Sequence, residues 1–550
     1  MILGAEHRKR ASHPKVRTGC QTCKARRKKC DETHPTCLMC IKARRICEYK
    51  ETPDRRTRNV RQLQNDVIAR RLTDPSQAGL TPTERHYLQL FRVATSGQCA
   101  GNIVDDFWQR LIHQVSEEEP AVRHATIAIS AIHWHFLQEG NASKFEFRSN
   151  SLSIASFPRS DSNPDTEDDA SFPLQQCNKA IASLRQNLTK VHSHVTSSAH
   201  REAVLVTCVA LVSLALFQED VKAVMKHLVS GHRLLLEWEK VDFDGSPSGP
   251  ILMRVFQDLQ LHRMTFSSRE TALGEVHIPI WQNFTKPCDT YSDGDAEEGT
   301  ARGLLAMLGS LVSANFPCRL ANGKRSRLIP LIESATELFS GDKKGLPLTI
   351  MGRLYAWKGH LQNFALATAG ILTSAERTPL LLIQMWTEFI YLMAIYANGR
   401  QDEMFYDAYL PNFQRINELA MLFLAAECQT GLFCAKVMLL PPVYFSAHRC
   451  RDWHTRRESL RLISSSRRRE GFWASAGASA VLEYFIKEES IGLGPDDVIP
   501  IYSRIDMMYV YPSPNKLKGI VWYHRPSSPE EIAGGADVSG IWKTLGVPTW

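Results

Sequence analysis

Six cysteines within 28 residues restrict this chain more than any other feature. Cys20, Cys23, Cys30, Cys37, Cys40 and Cys47 are spaced C-x2-C-x6-C-x6-C-x2-C-x6-C, so residues 20–30 and 37–47 repeat one unit, C-x2-C-x6-C. Three disulfides or a metal cluster would each use such a set. The N-terminal MILGAEHRKRASH has no apolar core of the kind a signal peptide carries, so an intracellular chain is expected, and disulfides rarely persist there. Metal is the stronger reading. A C-x2-C pair places two thiolates on one soft cation, and zinc takes four ligands in a tetrahedron. Six thiolates complete two tetrahedra only if two sulfurs are shared, so the pattern is consistent with two Zn2+ ions per chain. The other eight of the fourteen cysteines are scattered and read as buried thiols.

Charge is concentrated in the same place. Residues 1–50 hold fourteen Lys/Arg and four Asp/Glu, a net of +10; the 550-residue chain totals +8, so the remainder carries −2. A basic block on a near-neutral body suggests a polyanion-binding module attached to something else. Five of the six residues inside CKARRKKC (23–30) are basic: Lys24, Arg26, Arg27, Lys28 and Lys29. HRKR (7–10) and KARRKK (24–29) fit nuclear-localisation patches, and equally fit plain solvated charge.

The cysteine spacing resembles the fungal zinc binuclear cluster (Zn2Cys6) transcription regulators. The resemblance runs from Gly19 to Cys47. It includes every cysteine, the basic run after Cys23, Asp31 directly after the third cysteine and Pro35 two residues before the fourth. It implies that the first and fourth cysteines, here Cys20 and Cys37, bridge the metals. One zinc would take Cys20, Cys23, Cys30 and Cys37, the other Cys37, Cys40, Cys47 and Cys20. It implies a loop proline, Pro35, of a kind often cis in the family. It implies that CKARRKKC is a short helix whose N-terminal end enters the DNA major groove. Arg26 and Arg27 would then stand at the base-contacting positions, where arginine can donate two bonds to guanine O6 and N7, which points to a CGG-like half-site. Members often carry lysine there. Lys24, Lys28, Lys29 and Arg17 would contact phosphate, holding position without reading sequence.

The second half reads CIKARRIC, with KARR displaced by one place. One residue turns a helix by about 100°, so these charges are expected to face a different way. Ile41 and Ile46 stand where the first half has Lys24 and Lys29. This half reads as a packing partner, with Lys42, Arg44 and Arg45 either on phosphate or simply solvated.

The remaining chain reads as mainly α. The expected plan is a basic arm (1–17), the cluster (18–50), a polar linker (51–78), a large all-α domain (79–510) and a C-terminal segment with no clear reading (511–550). In the linker, Val60, Leu63 and Val67 give an a-d-a pattern too short for a coiled coil. Thr81, Pro82 and Glu84 make a capping box opening a helix that Gly97 would stop. SEEEPAVRHATIAISAIHWHF (116–136) follows the same grammar with Ser116 as cap. Further helices are expected near 173–195, 199–217, 220–240, 250–266, 301–315, 349–373, 378–398 and 412–439. AVLVTCVALVSLALF (203–217) falls short of the ~20 residues a membrane span needs and reads as a buried helix, so no membrane partner is expected. The phrases YLQLF, DDFW, EEEPAVRHATIAISAIH and RRREGFWAS resemble the fungal-specific regulatory domain that accompanies these clusters. RSDSNPDTEDDASF (159–172) reads as a surface loop rather than an activation segment, and the basic stretch Arg449–Arg469 as a solvated helix face rather than a second DNA contact.

Catalytic signatures fail on context. GQCAG (97–101) imitates a nucleophile elbow at Cys99 but follows a helix rather than a strand. His133 and His135, two apart on a helix, are poorly placed to share a metal, and His113 and His124 do not repair this. No P-loop, dinucleotide fingerprint or HExxH occurs, and no enzyme is expected. The reading is a nuclear, DNA-binding transcription regulator acting on a metabolic or secondary-metabolite gene set, as is common in the family. Its partners would be double-stranded DNA, the transcription machinery and a second copy of itself. The alternative is a scaffold or effector-sensing protein that the cluster merely tethers.

Overall fold

In the computed structural model the described residues are 19–33, 36–47, 79–101, 105–142, 167–190, 198–218, 220–242, 246–265, 304–305, 307–312, 315–316, 324–339, 349–397, 403–427, 432–505, 507–512, 518–533 and 541–548. The chain divides into two units, Met1–Gln62 and Leu63–Trp550. Arg17, Pro35 and the linker with its sparse heptad lie outside the described residues.

The larger unit is mostly helical, as its periodicity implies. It opens with the expected capping box: Thr81 accepts from the Glu84 N–H, and the Glu84 carboxylate accepts from the Thr81 N–H. Tyr87, Leu88 and Phe91 are all buried. Gly97 does not stop this helix. The chain stays helical from Pro82 to Cys99 through a π-turn at Phe91–Thr95. Ser116 is not a cap either. It lies inside the helix Ile112–Glu118, and its hydroxyl donates to the His113 carbonyl. The break comes at Glu119, which the following Pro120 forces into extended backbone (φ −101°, ψ 110°), and Pro120 starts the next helix, running to Ala142.

Helices Glu167–Lys190, Ser198–Phe217, Val221–Asp242, Gly249–Thr265, Ile350–Ala367 and Ser374–Ala397 follow the expected stretches. Residues 167–172 of the acidic segment belong to the first of these helices rather than to a loop, and 159–166 lie outside the described residues. Ser198–Phe217 and Ser374–Tyr396 are long and apolar enough to cross a membrane. Their apolar stretches are 83% and 67% buried inside the fold, as core helices are.

Two large apolar cores form, beside a small cluster of Tyr87, Leu88, Leu90, Ile127 and Ala131. One gathers residues from Phe91 to Leu259, the other from Leu261 to Ile505. The segment after the helix Leu410–Glu427 serves both. Sequence reading extends that helix to 439; instead it ends at Glu427, and Leu432–Cys434 is a strand, β1. β1 pairs in parallel with β2 (Arg468–Glu470), which pairs antiparallel with β3 (Trp473–Ala474). Gly471 makes that hairpin possible. Its φ is +60°, and a Cβ there would meet the His262 ring at 2.2 Å. Every residue from Leu432 to Arg451 is buried, so no polar alternation marks the strand.

Side chains on this segment reach into both cores. Phe433 stacks on Phe217 at 4.0 Å and on His133 at 4.9 Å in the first core. Lys436 bonds Asp105 at 2.8 Å and Asp258 at 3.2 Å. Trp386 of the second core donates its indole N–H to the Met438 carbonyl at 2.6 Å. The helix Leu440–Arg449 has no cap from its own N-cap residue. Glu470 supplies one: its carboxylate accepts from the N–H groups of Met438, Leu439 and Leu440 at 3.0–3.1 Å, and from Arg468 Nε at 2.7 Å.

The basic stretch 449–469 is neither a solvated face nor a DNA contact over most of its length. Arg449, Arg451, Arg456 and Arg468 are buried. Arg449 pairs with Glu403; Arg451 bridges Glu403 at 3.1 Å and Glu489 at 2.8 Å; Arg456 pairs with Glu489; and Arg468 pairs with Glu427 and Glu470. Arg504 adds a fork onto Asp407 at 2.7–2.8 Å. Apart from Glu470, the neutralising acids lie tens of residues away in sequence, which is why a local reading misses them. After the last long helix ends at Glu489, the C-terminal segment forms a three-stranded antiparallel sheet, Met507–Pro512, Lys518–Arg525 and Ile541–Pro548 in that spatial order.

Removing the Glu470 carboxylate would strand three buried N–H groups and half of the Arg468 pairing. Glu470→Ala is expected to lower stability by about 3–5 kcal/mol, seen as a fall in the urea midpoint of the helical signal. A loss below about 1 kcal/mol would show that the cap is dispensable.

Candidate metal centre and nucleic-acid interface

In the smaller unit, two five-residue helices carry the cysteine repeat: α1 (Gln21–Ala25) and α2 (Leu38–Lys42). The C-x2-C spacing has a local cause. Cys20 is the N-cap of α1, and its sulfur accepts from the Cys23 N–H at 3.3 Å; Cys37 does the same for α2 with the Cys40 N–H at 3.3 Å. A sulfur thus replaces the usual cap oxygen, and three-residue spacing sets the second thiol one turn on, beside the first.

Both helices end the same way. Arg27 N–H donates to the Lys24 carbonyl and Lys28 N–H to the Cys23 carbonyl; Arg44 and Arg45 repeat the pattern on Ile41 and Cys40. This is a Schellman cap, and it places Arg27 (φ 56°) and Arg44 (φ 47°) in the left-handed region that favours glycine. The run 23–30 is therefore not one helix, as the resemblance implies. The helix stops at Ala25, with Arg26 as C-cap and Arg27, Lys28 and Lys29 in the turn beyond. The reason is reach. Seven helical residues would carry Cys30 about 10 Å from Cys23. The sulfurs of Cys20, Cys23, Cys30 and Cys37 lie within 4.8 Å of one another. The two halves do not differ by a rotated helix face either. On a shared backbone, Ile41 replaces Lys24, Ala43 replaces Arg26, Arg44 replaces Arg27 and Ile46 replaces Lys29.

The six sulfurs fall into two sets within 4.8 Å: Cys20, Cys23, Cys30 and Cys37, and Cys20, Cys37, Cys40 and Cys47. Cys20 and Cys37 belong to both, with their sulfurs 3.8 Å apart. Further backbone N–H groups point at the outer sulfurs, from Cys20 and Glu32 to Cys30 and from Cys37 to Cys47, at 3.3–3.4 Å. Burial pulls the Cys20 and Cys37 thiols upward, but the N–H group on each sulfur and hydrogen bonds from neighbouring thiols together outweigh it and bring both below the ordinary thiol range. Burial, with its thiol neighbours adding, pushes Cys23 up to about 12. So many thiols at such separations ionise together only around a cation, and soft sulfur donors in two sets of four fit zinc.

Other ties hold the halves in register. Asp31 accepts from the Leu38 N–H at 2.9 Å and the Met39 N–H at 3.1 Å, capping α2 from the opposite half; the Thr33 hydroxyl and these N–H groups hold its carboxyl well below the usual range. Thr22 donates to the Ile46 carbonyl at 2.8 Å. A Cβ on Gly19 would meet the Cys30 Cβ at 2.8 Å. Sequence reading noted Gly19 and Asp31 as part of a pattern without seeing what they do.

Lys24, Arg26, Arg27, Lys28 and Lys29 are all exposed on one half of this centre, while the other half exposes Leu38, Ile41 and Ile46, the last at 81%. Lys42, Arg44 and Arg45 are exposed as well. In the larger unit, Cys99 ends the helix Ser96–Cys99 as a buried thiol that burial pushes up. His133 is buried, with Nδ1 2.9 Å from the Thr95 hydroxyl and its pKa lowered to about 3 by burial.

Residues 18–56 match the fungal Zn(2)-Cys(6) binuclear cluster domain, and residues 85–278 match the fungal specific transcription factor domain. Both matched domains are those of fungal zinc binuclear cluster transcription factors, and this is the family the chain resembles. The cluster of this family binds two zinc ions, and the two overlapping cysteine sets suit that content. Among curated relatives, a Zn(2)-C6 fungal-type transcription factor of Aspergillus fumigatus is 31% identical over 126 residues, 22% of this chain and 34% of the relative. The aspercryptin biosynthesis cluster-specific transcription regulator of Emericella nidulans is 24% identical over 287 residues, 48% of this chain and 42% of the relative. A lysine biosynthesis regulatory protein of Saccharomyces cerevisiae is 48% identical over 50 residues, 8% of this chain and 6% of the relative. The chain thus spans about a third of the first relative's length and less than half of the second's. No solved structure matches it.

Asp31 supports α2 and its cysteines from outside the ligand set. Asp31→Ala is expected to weaken zinc binding by about 10–100-fold, as loss of an outer-shell partner does. Competition with a chelating dye measures this, and unchanged affinity would mean that the sulfurs alone hold α2 in place.

Proposed function

We propose that this chain is a nuclear, sequence-selective transcription regulator that grips the major groove of double-stranded DNA with the first half of its zinc cluster. The carrying observation is Arg27. A non-glycine residue in the left-handed region costs on the order of 1 kcal/mol, and the turn that returns Cys30 to its partners imposes it on Arg27 as the matching turn does on Arg44. Here it turns an exposed guanidinium out of the end of α1, directly beside Arg26. In this reading Arg26 and Arg27 donate to guanine edges of a CGG-like half-site. Lys24, Lys28 and Lys29 meet phosphates, with Arg17, Lys42 and Arg44 as further phosphate contacts. Release of counterions from the phosphates offsets the crowding of five like charges.

In the same reading the six cysteines hold two zinc ions, bridged by Cys20 and Cys37. The overlap of the two sulfur sets at those residues supports the assignment. The larger unit serves as the regulatory body, through which the chain meets the transcription machinery and a second copy of itself. A metabolic or secondary-metabolite gene set is the proposed target class, in line with the aspercryptin and lysine biosynthesis regulators among its relatives.

Selection from a random DNA pool by the zinc-loaded full-length protein tests the reading. Enrichment of CGG-like triplets is expected. An unenriched pool from folded, zinc-bound protein would replace base reading with simple tethering. Arg27→Ala should cost about 1–3 kcal/mol at the selected site and relax selectivity at one base, whereas Lys24→Ala should weaken all sequences alike. Cys20→Ala should lose both zinc ions, as counted by native mass spectrometry; two zincs retained would rule out bridging.

A further inference from the structure

A second site lies in the larger unit, on helices that do not carry the cysteine repeat. The helices Trp453–Ser465 and Ser475–Glu489 leave a cleft of about 450 Å3. Trp453, Leu460, Ile486 and Ile491 line it with apolar surface, and Arg457 and Lys487 bring two cations to it. Glu483, also on the lining, leaves the balance positive. The volume falls in the range of small-molecule sites, about 300–1,000 Å3.

Arg457 differs from its neighbours. Arg449, Arg451, Arg456, Arg461 and Arg468 each pair with a carboxylate. Arg457 instead lies over the Trp453 ring, 3.2 Å from its centre, and reaches the Trp453 carbonyl at 3.5 Å. Among the described residues no carboxylate pairs with it, nor with Lys487. Partial burial holds the Arg457 pKa below its ordinary value, the mark of a guanidinium that has given up water without gaining an anion. A guanidinium fixed flat on an indole presents its N–H edge in one orientation, which suits a planar acid group.

We propose that this cleft binds a small amphipathic organic anion, its acid group on Arg457 and its apolar body against Trp453, Leu460 and Ile486. The fit is one of charge complementarity on an apolar surface. It stands apart from the DNA reading, since neither helix belongs to the zinc cluster.

Two probes of similar shape separate charge from greasiness: anionic 1-anilinonaphthalene-8-sulfonate and neutral N-phenyl-1-naphthylamine. Each is titrated by fluorescence into zinc-loaded full-length protein, its Arg457→Gln and Arg457→Lys variants, and Leu460→Trp, which fills the cleft. Far-UV melting curves first establish that each variant is folded. The anionic probe should bind wild type saturably, lose about tenfold in affinity with Arg457→Gln and regain part of it with Arg457→Lys. The neutral probe should change less than about twofold with Arg457→Gln, and Leu460→Trp should weaken both probes. Superimposable anion titrations of wild type and Arg457→Gln, an equal loss of both probes with Arg457→Gln, or anion binding that survives Leu460→Trp would each overturn the proposal. So would the absence of saturable anion binding. None of these outcomes touches DNA recognition.

Discussion

In the interior of the larger unit, one carboxylate, that of Glu470, accepts hydrogen bonds from three consecutive backbone N–H groups, Met438, Leu439 and Leu440. Those groups open the helix Leu440–Arg449, whose own N-cap offers nothing. An anion is costly in such a place unless it is both paired and fully hydrogen-bonded. Arg468 supplies the pairing, and Glu427 in turn balances Arg468. The segment fastened in this way, from Leu432 onward, is where the two apolar cores meet. Phe433 faces one core, and Leu432, Val437 and Met438 belong to the other. Lys436, held by Asp105 and Asp258, repeats the principle three residues along. Large helical layers could slide on apolar contacts alone, because those contacts are not directional; charged hydrogen bonds at the seam fix one arrangement.

The smaller unit solves a different problem. Among its described residues the buried side chains are those of four cysteines, so the sulfurs, and the cation they require, take the place of an apolar core. Bringing Cys30 back to its partners forces the chain to leave α1 after five residues, and the Schellman turn that does so pushes Arg27 into a left-handed backbone. The basic residues thereby come off the helix and onto its exposed end. The centre also has two unlike poles built on one repeated backbone. Lys24 and Lys29 in one half correspond to Ile41 and Ile46 in the other, so the repeated backbone supplies the shape and the differing side chains put the denser positive charge on one side.

Much of the fold was legible residue by residue. Thr81, Pro82 and Glu84 signalled a helix start correctly because a capping box is satisfied within four residues. Ser198–Phe217 was legible because fifteen consecutive residues from Ala203 are apolar or small, and all are buried. Ser116 misled because a good capping residue competes with a proline four places on, and the proline's steric demand wins. β1 was invisible because a strand buried on both sides loses its alternation. Arg449, Arg451, Arg456 and Arg468 misled most, since a local count of charge sees the basic residues and not the glutamates that meet them.

The spacing of six cysteines by itself pointed to the metal chemistry and carried the family resemblance, because ligand number and helix capping are local matters settled within a few residues. Tertiary structure alone decided that this run is the end of a helix rather than its body, that Asp31 reaches across to cap the opposite half, and that Arg449, Arg451, Arg456 and Arg468 are interior. It also decided that Arg457 is left without an acidic partner among the described residues, at the edge of a cleft. Each of these depends on which distant residues the fold brings within about 3 Å, and at that range the partner's identity decides between a solvated charge, a buried ion pair and a site awaiting a ligand.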